Sequence, residues 1–192
     1  MKRHQELLTA AIERDGEGQG ALIARDLPTA REAFRSAADL YRQSWEEAPP
    51  RSYGRLVGML KAVVLSGDDP GSAAEYARAA LAEDPGAADS PTASYALALV
   101  ALVEGDNGEA GRRAEAMRGG SEAFDRASAA IAALAARDRD RYVAAVGKIV
   151  CDFEERSAHL TGVAIADTAL VLERLAAPRG MVAGVQSEVL PA

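Results

Sequence analysis

Few side chains in this chain are equipped for chemistry, and their spacing decides what they could do. There are two histidines, His4 and His159, at opposite ends of the sequence, and one cysteine, Cys151. Cys151, Glu155 and His159 follow an i, i+4, i+8 spacing. On a helix that spacing places a thiol, a carboxylate and an imidazole on one face, a set from which a metal site or a nucleophile with its base could be built. Asp152, Glu155 and His159, with Tyr142 nearby, form the matching set for a ligand-binding or enzymatic site inside a helical domain. A plainer reading needs only a helix end with a solvated His159 and a buried Cys151. Neither histidine has a further partner at metal-ligand or triad spacing.

The other reactive-looking stretches are more simply structural. Glu46-Glu47, Asp68-Asp69 and Glu154-Glu155 are adjacent pairs, and neighbours in sequence point apart on a helix, so they make no acid–base dyad. "RDRDRY" (137–142) alternates in sign and reads as a helix start with local ion pairs. "GEGQG" (16–20) has neither the preceding strand nor the Lys-Ser/Thr of a phosphate loop, and reads as a linker. The expectation is a protein that is not an enzyme and has no metal or cofactor.

Composition narrows the class. The 192 residues suffice for one domain or a small repeat array. Hydrophobic residues make up 48% and charged residues 27%, which is globular rather than disordered. Aromatics are only 5%, so the core must be built from Ala, Leu and Val. A net charge of −7 argues against nucleic acid, which needs a concentrated basic surface. One cysteine cannot form an intrachain disulfide, and the opening "MKRHQELLTAAIERDGEGQ" lacks the apolar run of a signal peptide. The longest apolar run, "YALALVALV" (95–103), falls well short of the roughly 20 residues of a membrane span. A cytoplasmic protein is the default.

The elements that must position these residues are helices. Breakers divide the chain into segments at about 2–14, 28–48, 52–66, 72–83, 91–104, 107–118, 121–136, 138–156 and 163–176. Pro28 suits a first turn, and Pro49-Pro50 end a helix. Ser72, Ser90 and Ser121 are placed as N-caps. No segment alternates with period two, so the fold class is all-α with about nine helices. The predicted organisation is a single domain: an N-terminal helix and Gly-rich linker over 1–27, helical hairpins over 28–156, and a capping helix with an extended tail over 157–192.

Gly67-Asp68, Gly105-Asp106 and Arg137-Asp138 recur at intervals in the thirties, with two helices between successive breakers. Val57, Leu60 and Val64 lie along one helix, and Ala73, Ala77, Ala80 and Leu81 along the next, which Pro85 closes. Leu97, Ala98 and Ala101, then Ala110, Ala114 and Met117, repeat the pattern without the proline. Upstream, Ala37, Tyr41, Ser44, Trp45 and Pro49 fit a second helix whose partner is interrupted at Pro28. On these residues the stretch 37–118 resembles a tetratricopeptide repeat, although Lys61 stands where that family has a small residue. Alanines at this spacing make a flat stripe that lets a partner helix approach closely.

The resemblance implies antiparallel hairpins stacked as a short right-handed superhelix whose first helices line a concave face. That face would carry Arg55, Gly58 and Ala62, then Tyr95 and Leu99, then Phe124 and Ile131. Arg55, Tyr95, Leu99, Phe124 and Ile131 are the candidate partner-binding residues. The face would hold a helix or extended peptide of another protein, or be covered by the chain's own ninth helix or tail. An uncovered apolar stripe is a solubility liability, which favours cover. The leading expectation is a non-catalytic scaffold that binds another protein, with a homo-oligomer as a structural alternative. The close, "ADTALVLERLAAPRGMVAGVQSEVLPA" (166–192), is similar to the ends of helical immunity proteins encoded beside bacterial toxins. That similarity implies stoichiometric neutralisation of a toxin.

Overall fold

Five helices begin where a short polar side chain accepts a hydrogen bond from a first-turn amide, satisfying a donor the helix cannot. Asp26 caps α2 (Leu27–Glu46), Ser90 caps α5 (Pro91–Glu104), Asp106 caps α6 (Asn107–Ala116), Ser121 caps α7 (Glu122–Ala135) and Asp138 caps α8 (Arg139–Glu155). The remaining helices are α1 (Arg3–Ile23), α3 (Gly54–Ser66), α4 (Gly71–Ala82) and α9 (Asp167–Ala176). The computed structural model describes residues 2–191, and among these there is no strand. The all-α reading holds, with nine α-helices among the described residues. Gly67 and Gly105 end α3 and α5 with φ of 77° and 78°, the left-handed region that a Cβ disfavours. Ser72 is not a cap: α4 starts earlier, behind Pro70, and Ser72 lies exposed in its first turn.

The stretch "GEGQG" is helix, not linker. α1 continues through it to Ile23, and Gly16 and Gly18 are buried. A Cβ on Gly18 would lie 2.9 Å from the Phe34 ring of α2, and one on Gly16 would lie 3.0 Å from the carbonyl oxygen of Thr161. The glycines sacrifice about 1 kcal/mol of helix propensity each and in return bring α1 against a buried ring and a distant loop. α1 is therefore a full partner for α2. Gly18 faces Phe34, Asp15 faces Tyr41 and the His4 carbonyl faces Ser44, which makes the pair antiparallel.

The hairpin order continues down the chain. Gly58 sits under the Tyr41 ring and Arg35 pairs with Asp68, so α3 runs antiparallel to α2. α4 buries Ala74, Ala77 and Leu81, with Ala73 and Ala80 half-buried, so the alanine stripe is packing surface. α5 is buried almost all round, with Ala98 through Leu102 inaccessible to water, as its unbroken apolar run requires. Helices α3, α5 and α7 pack successively against one another.

α9 closes the assembly. It begins at Asp167 rather than 163, after a loop over 156–166. Arg174 donates to the carbonyls of Val64 and Leu65 at 3.3 and 2.8 Å, and Arg179 donates to those of Leu102 and Leu175. Two guanidinium groups thus sit at the C-terminal ends of α3 and α5, where the helix dipole favours positive charge; the Val64 and Leu102 carbonyls also accept from the Gly67 and Gly105 amides. From Met181 the tail has no helix over 181–187 and turns over 188–190. Glu173 of α9 holds it by accepting from the amides of Ala183 and Gly184 at 2.9 and 3.1 Å. Among the described residues no helix is long and apolar enough to cross a membrane.

Candidate functional site

Lys61, out of place in a tetratricopeptide pattern, lies at the centre of a polar cluster. Its ammonium pairs with Asp167 at the start of α9 and reaches Thr168 Oγ1 at 3.2 Å. Burial alone would drive the lysine toward its neutral form, but Asp167, Tyr95 and Asp15 together outweigh it and hold the pKa above the ordinary lysine value. Asp15 of α1 stands beside this pair. Its Oδ2 accepts from the Tyr41 hydroxyl at 3.2 Å, while Oδ1 is buried without a hydrogen-bond partner. Gln19, one turn along, eases the charge without reaching Oδ1 in hydrogen-bond geometry. Burial, reinforced by Asp167, pushes Asp15 up to about 6 against the pull of Lys61. The Tyr95 hydroxyl, close to Thr168, is also buried without a well-formed partner.

This cluster forms one wall of a cavity of about 230 Å³ between α1, α3, α7, α8 and the 156–166 loop. Also in its lining, Arg126 and Arg156 share the Asp152 carboxylate, at 2.6 and 2.5 Å. His159 stacks on Phe153 with ring centroids 6.0 Å apart, and its Nδ1 is buried and unpartnered. Leu160 beside it is 80% exposed and lines both this cavity and a second one beside Tyr41.

The Cys151, Glu155, His159 stripe does not form. α8 ends at Glu155, Arg156 turns the backbone to an extended conformation, and His159 sits on the loop beyond. Cys151 and Glu155 are exposed, so Cys151 is not the buried thiol expected, and His159 is half-buried rather than solvated. Asp152 and His159 do meet at the cavity, but Tyr142 points elsewhere and donates to Glu173 at 2.9 Å. Among the described residues no three His, Cys, Asp or Glu side chains are placed to hold a metal ion.

The five candidate partner-binding residues divide as follows. Tyr95, Leu99 and Ile131 are buried in the core, and Phe124 is half-buried against Tyr95, edge to face at 6.0 Å. Arg55 lies apart, donating to Ser44 Oγ at 2.7 Å with His4 Nδ1 3.2 Å away. The face that the resemblance leaves open carries α9, whose Thr168 adjoins Tyr95. The chain itself occupies the place proposed for a partner.

A groove that the sequence reading missed is open. It has a volume of about 590 Å³ and lies between the α1–α2 corner, α9 and the tail, with Leu22, Ile23, Leu170, Val182, Val185 and Leu190 on its walls. Four large hydrophobic side chains are exposed among the described residues. Ile23 and Val182 are in this groove, Leu27 is at the same corner, and Leu160 is elsewhere. Arg25, Glu173, Arg174 and Glu188 supply charge around the apolar walls. The only sequence signal was the apolar Leu22-Ile23 and Leu27 at a helix corner; the tail residues had no helical period to place them.

No protein-family model, curated protein or solved structure matches the chain.

Proposed function

We propose that this protein is a non-catalytic helical scaffold, tetratricopeptide-like in its hairpins, that binds another protein. The observation that carries the proposal is the presence of Ile23 and Val182, two of the four large hydrophobics exposed among the described residues, in one groove with charged edges, with a third, Leu27, exposed at the adjoining corner. Apolar walls with a polar rim suit an apolar segment of a partner chain. The site moves from the concave stripe of the sequence reading to the groove beside α9. An immunity-type role is a special case of the same binding, in which the partner is a toxin.

A photo-crosslinker placed at 23 or 182 tests it in the full chain. The expected result is one protein partner crosslinked from both positions and not from the exposed control position 78, with the adduct lost in Ile23→Asp/Val182→Asp. That variant should keep its helical circular dichroism. A crosslink only to a second copy of the chain, with light scattering giving a dimer, replaces the scaffold by a homo-oligomer. Turnover of a small molecule with no crosslinked protein overturns the proposal.

A further inference from the structure

The loop between α8 and α9 lies across α1 at the turn that carries Asp15. One residue on from Asp15, a Cβ on Gly16 would stand 3.0 Å from the Thr161 carbonyl oxygen, and one turn on, the Thr161 hydroxyl donates to Gln19 Oε1. Asp15 lines the cavity of about 230 Å³ together with Leu160, Thr161 and Ile165 of this loop. The cover is light. No residue from 156 to 164 is fully buried, and the Thr161–Gln19 bond is the one hydrogen bond between 156–164 and α1 among the described residues. A segment attached in this way can open by itself, below the cost of global unfolding.

Closing the loop takes water from Asp15, which is 8% exposed, and leaves it among fixed charges. α2 presents the Tyr41 hydroxyl, α3 presents Lys61, and α9 presents Asp167, which already holds the Lys61 ammonium. Asp15 makes no ion pair among the described residues, so the junction sets two carboxylates on one lysine. Tyr95 of α5 acts on Lys61, and Arg55 lines the second cavity with Asp15. His159, Arg126, Arg156 and Asp152 line the first cavity, the last three paired with one another. We infer that residues 156–164 are a proton-operated lid over Asp15, closed while its carboxyl carries a proton and released when it ionises. A protonated Asp15 brings no charge to desolvate. An ionised one in the same place lacks water, is repelled by Asp167 and draws on a lysine already engaged. The closed form binds the proton more tightly, so a rise in pH through about 6 favours the open form. The lid supplies no residue to the groove, and it operates whether or not the groove holds a partner.

Methyl relaxation dispersion of the full chain tests this, read at Leu160 and Val163 with Leu99 of α5 as the core control. Between pH 5 and pH 7 the ratio of open to closed lid should rise severalfold, to a limit of about tenfold, with Leu99 unchanged. Asp15→Asn should flatten this dependence, and His159→Gln should keep it. Thr161→Ala, which cuts the tie to α1, should open the lid at both pH values and bring the Asp15 carboxyl titration, followed by its ¹³Cγ shift, down toward 3.8. That titration decides the matter if Asp15→Asn folds poorly. A lid ratio independent of pH, a dependence that vanishes in His159→Gln, or an Asp15 titration unmoved by Thr161→Ala overturns the inference.

Discussion

Lys61 of α3 and Asp167 of α9 form an ion pair between residues 106 positions apart, with side chains only 15% and 22% exposed. The pair fastens the last helix to the body of the fold. Breaking a pair in such surroundings leaves a charge without compensation, and that loss exceeds what the intact pair contributes.

Lys61→Met should therefore destabilise the protein by about 3 kcal/mol in urea unfolding. Adding Asp167→Asn should recover part of that loss, giving a coupling energy of about 1–2 kcal/mol in the double-mutant cycle. Strict additivity of the two single substitutions would show that the pair is not formed.

Asp15 ties stability to pH with an unusual sign. Its carboxyl titrates at about 6 in the fold against an ordinary value of 3.8, so the native chain holds a proton that the unfolded chain has released. Its contribution is complete below the unfolded value and is lost as pH rises through about 6. Asp15→Asn removes this dependence. The variant should gain on the wild type by about 2–3 kcal/mol between pH 4 and pH 7, read from paired unfolding curves. A constant difference across that range would contradict the assignment.

Two glycines of α1 should respond to alanine with opposite signs. Gly18→Ala would force a methyl group into the Phe34 ring, which is wholly buried, and should cost about 1–3 kcal/mol. Gly20 has nothing within 4 Å of its would-be Cβ, so Gly20→Ala should add about 0.5–1 kcal/mol through helix propensity alone. Thermal unfolding of the two variants side by side separates the packing reading of "GEGQG" from the linker reading, under which neither would matter.

Glu173→Ala should release the tail. The carboxylate accepts from the Tyr142 hydroxyl and from the Ala183 and Gly184 amides, and its removal leaves a buried phenol and two tail amides without a partner. Amide exchange at Ala183 and Gly184 should accelerate toward the free-chain rate, with a loss of about 2 kcal/mol in global stability. Unchanged protection would mean that the tail is held by its apolar contacts.

The legible part of this fold was written in local chemistry. Ser90 before Pro91, Ser121 before an apolar-periodic run and Gly105 after one mark helix ends through hydrogen bonds made within a few residues, and those boundaries agree with the structure. The alanine stripe of α4 was readable for the same reason. What escaped depends on residues far apart in the chain. Gly16 and Gly18 look like a linker because Thr161 and Phe34, the groups they approach, are 145 and 16 positions away. Lys61 read as a blemish in a repeat until α9 brought Asp167 to it. Asp152 and His159 were grouped by spacing, and the structure puts both at the lining of one cavity. Glu155 and Cys151 are exposed instead, and the partners of Asp152 are Arg126 and Arg156, which no local spacing could indicate for Arg126.

The two guanidinium groups that α9 and its following turn lay on the ends of α3 and α5 have a consequence for how the chain is made. Through most of its synthesis on the ribosome, the trough that holds Lys61 and Tyr95 stands open to water, and the Leu65 carbonyl at the end of α3 awaits a donor encoded 109 residues later. The early hairpins can assemble as they emerge, but their shared core seals only on arrival of Asp167, Arg174 and Arg179. A nascent chain halted before Ala166 would expose a wet apolar trough, the kind of surface that chaperones hold.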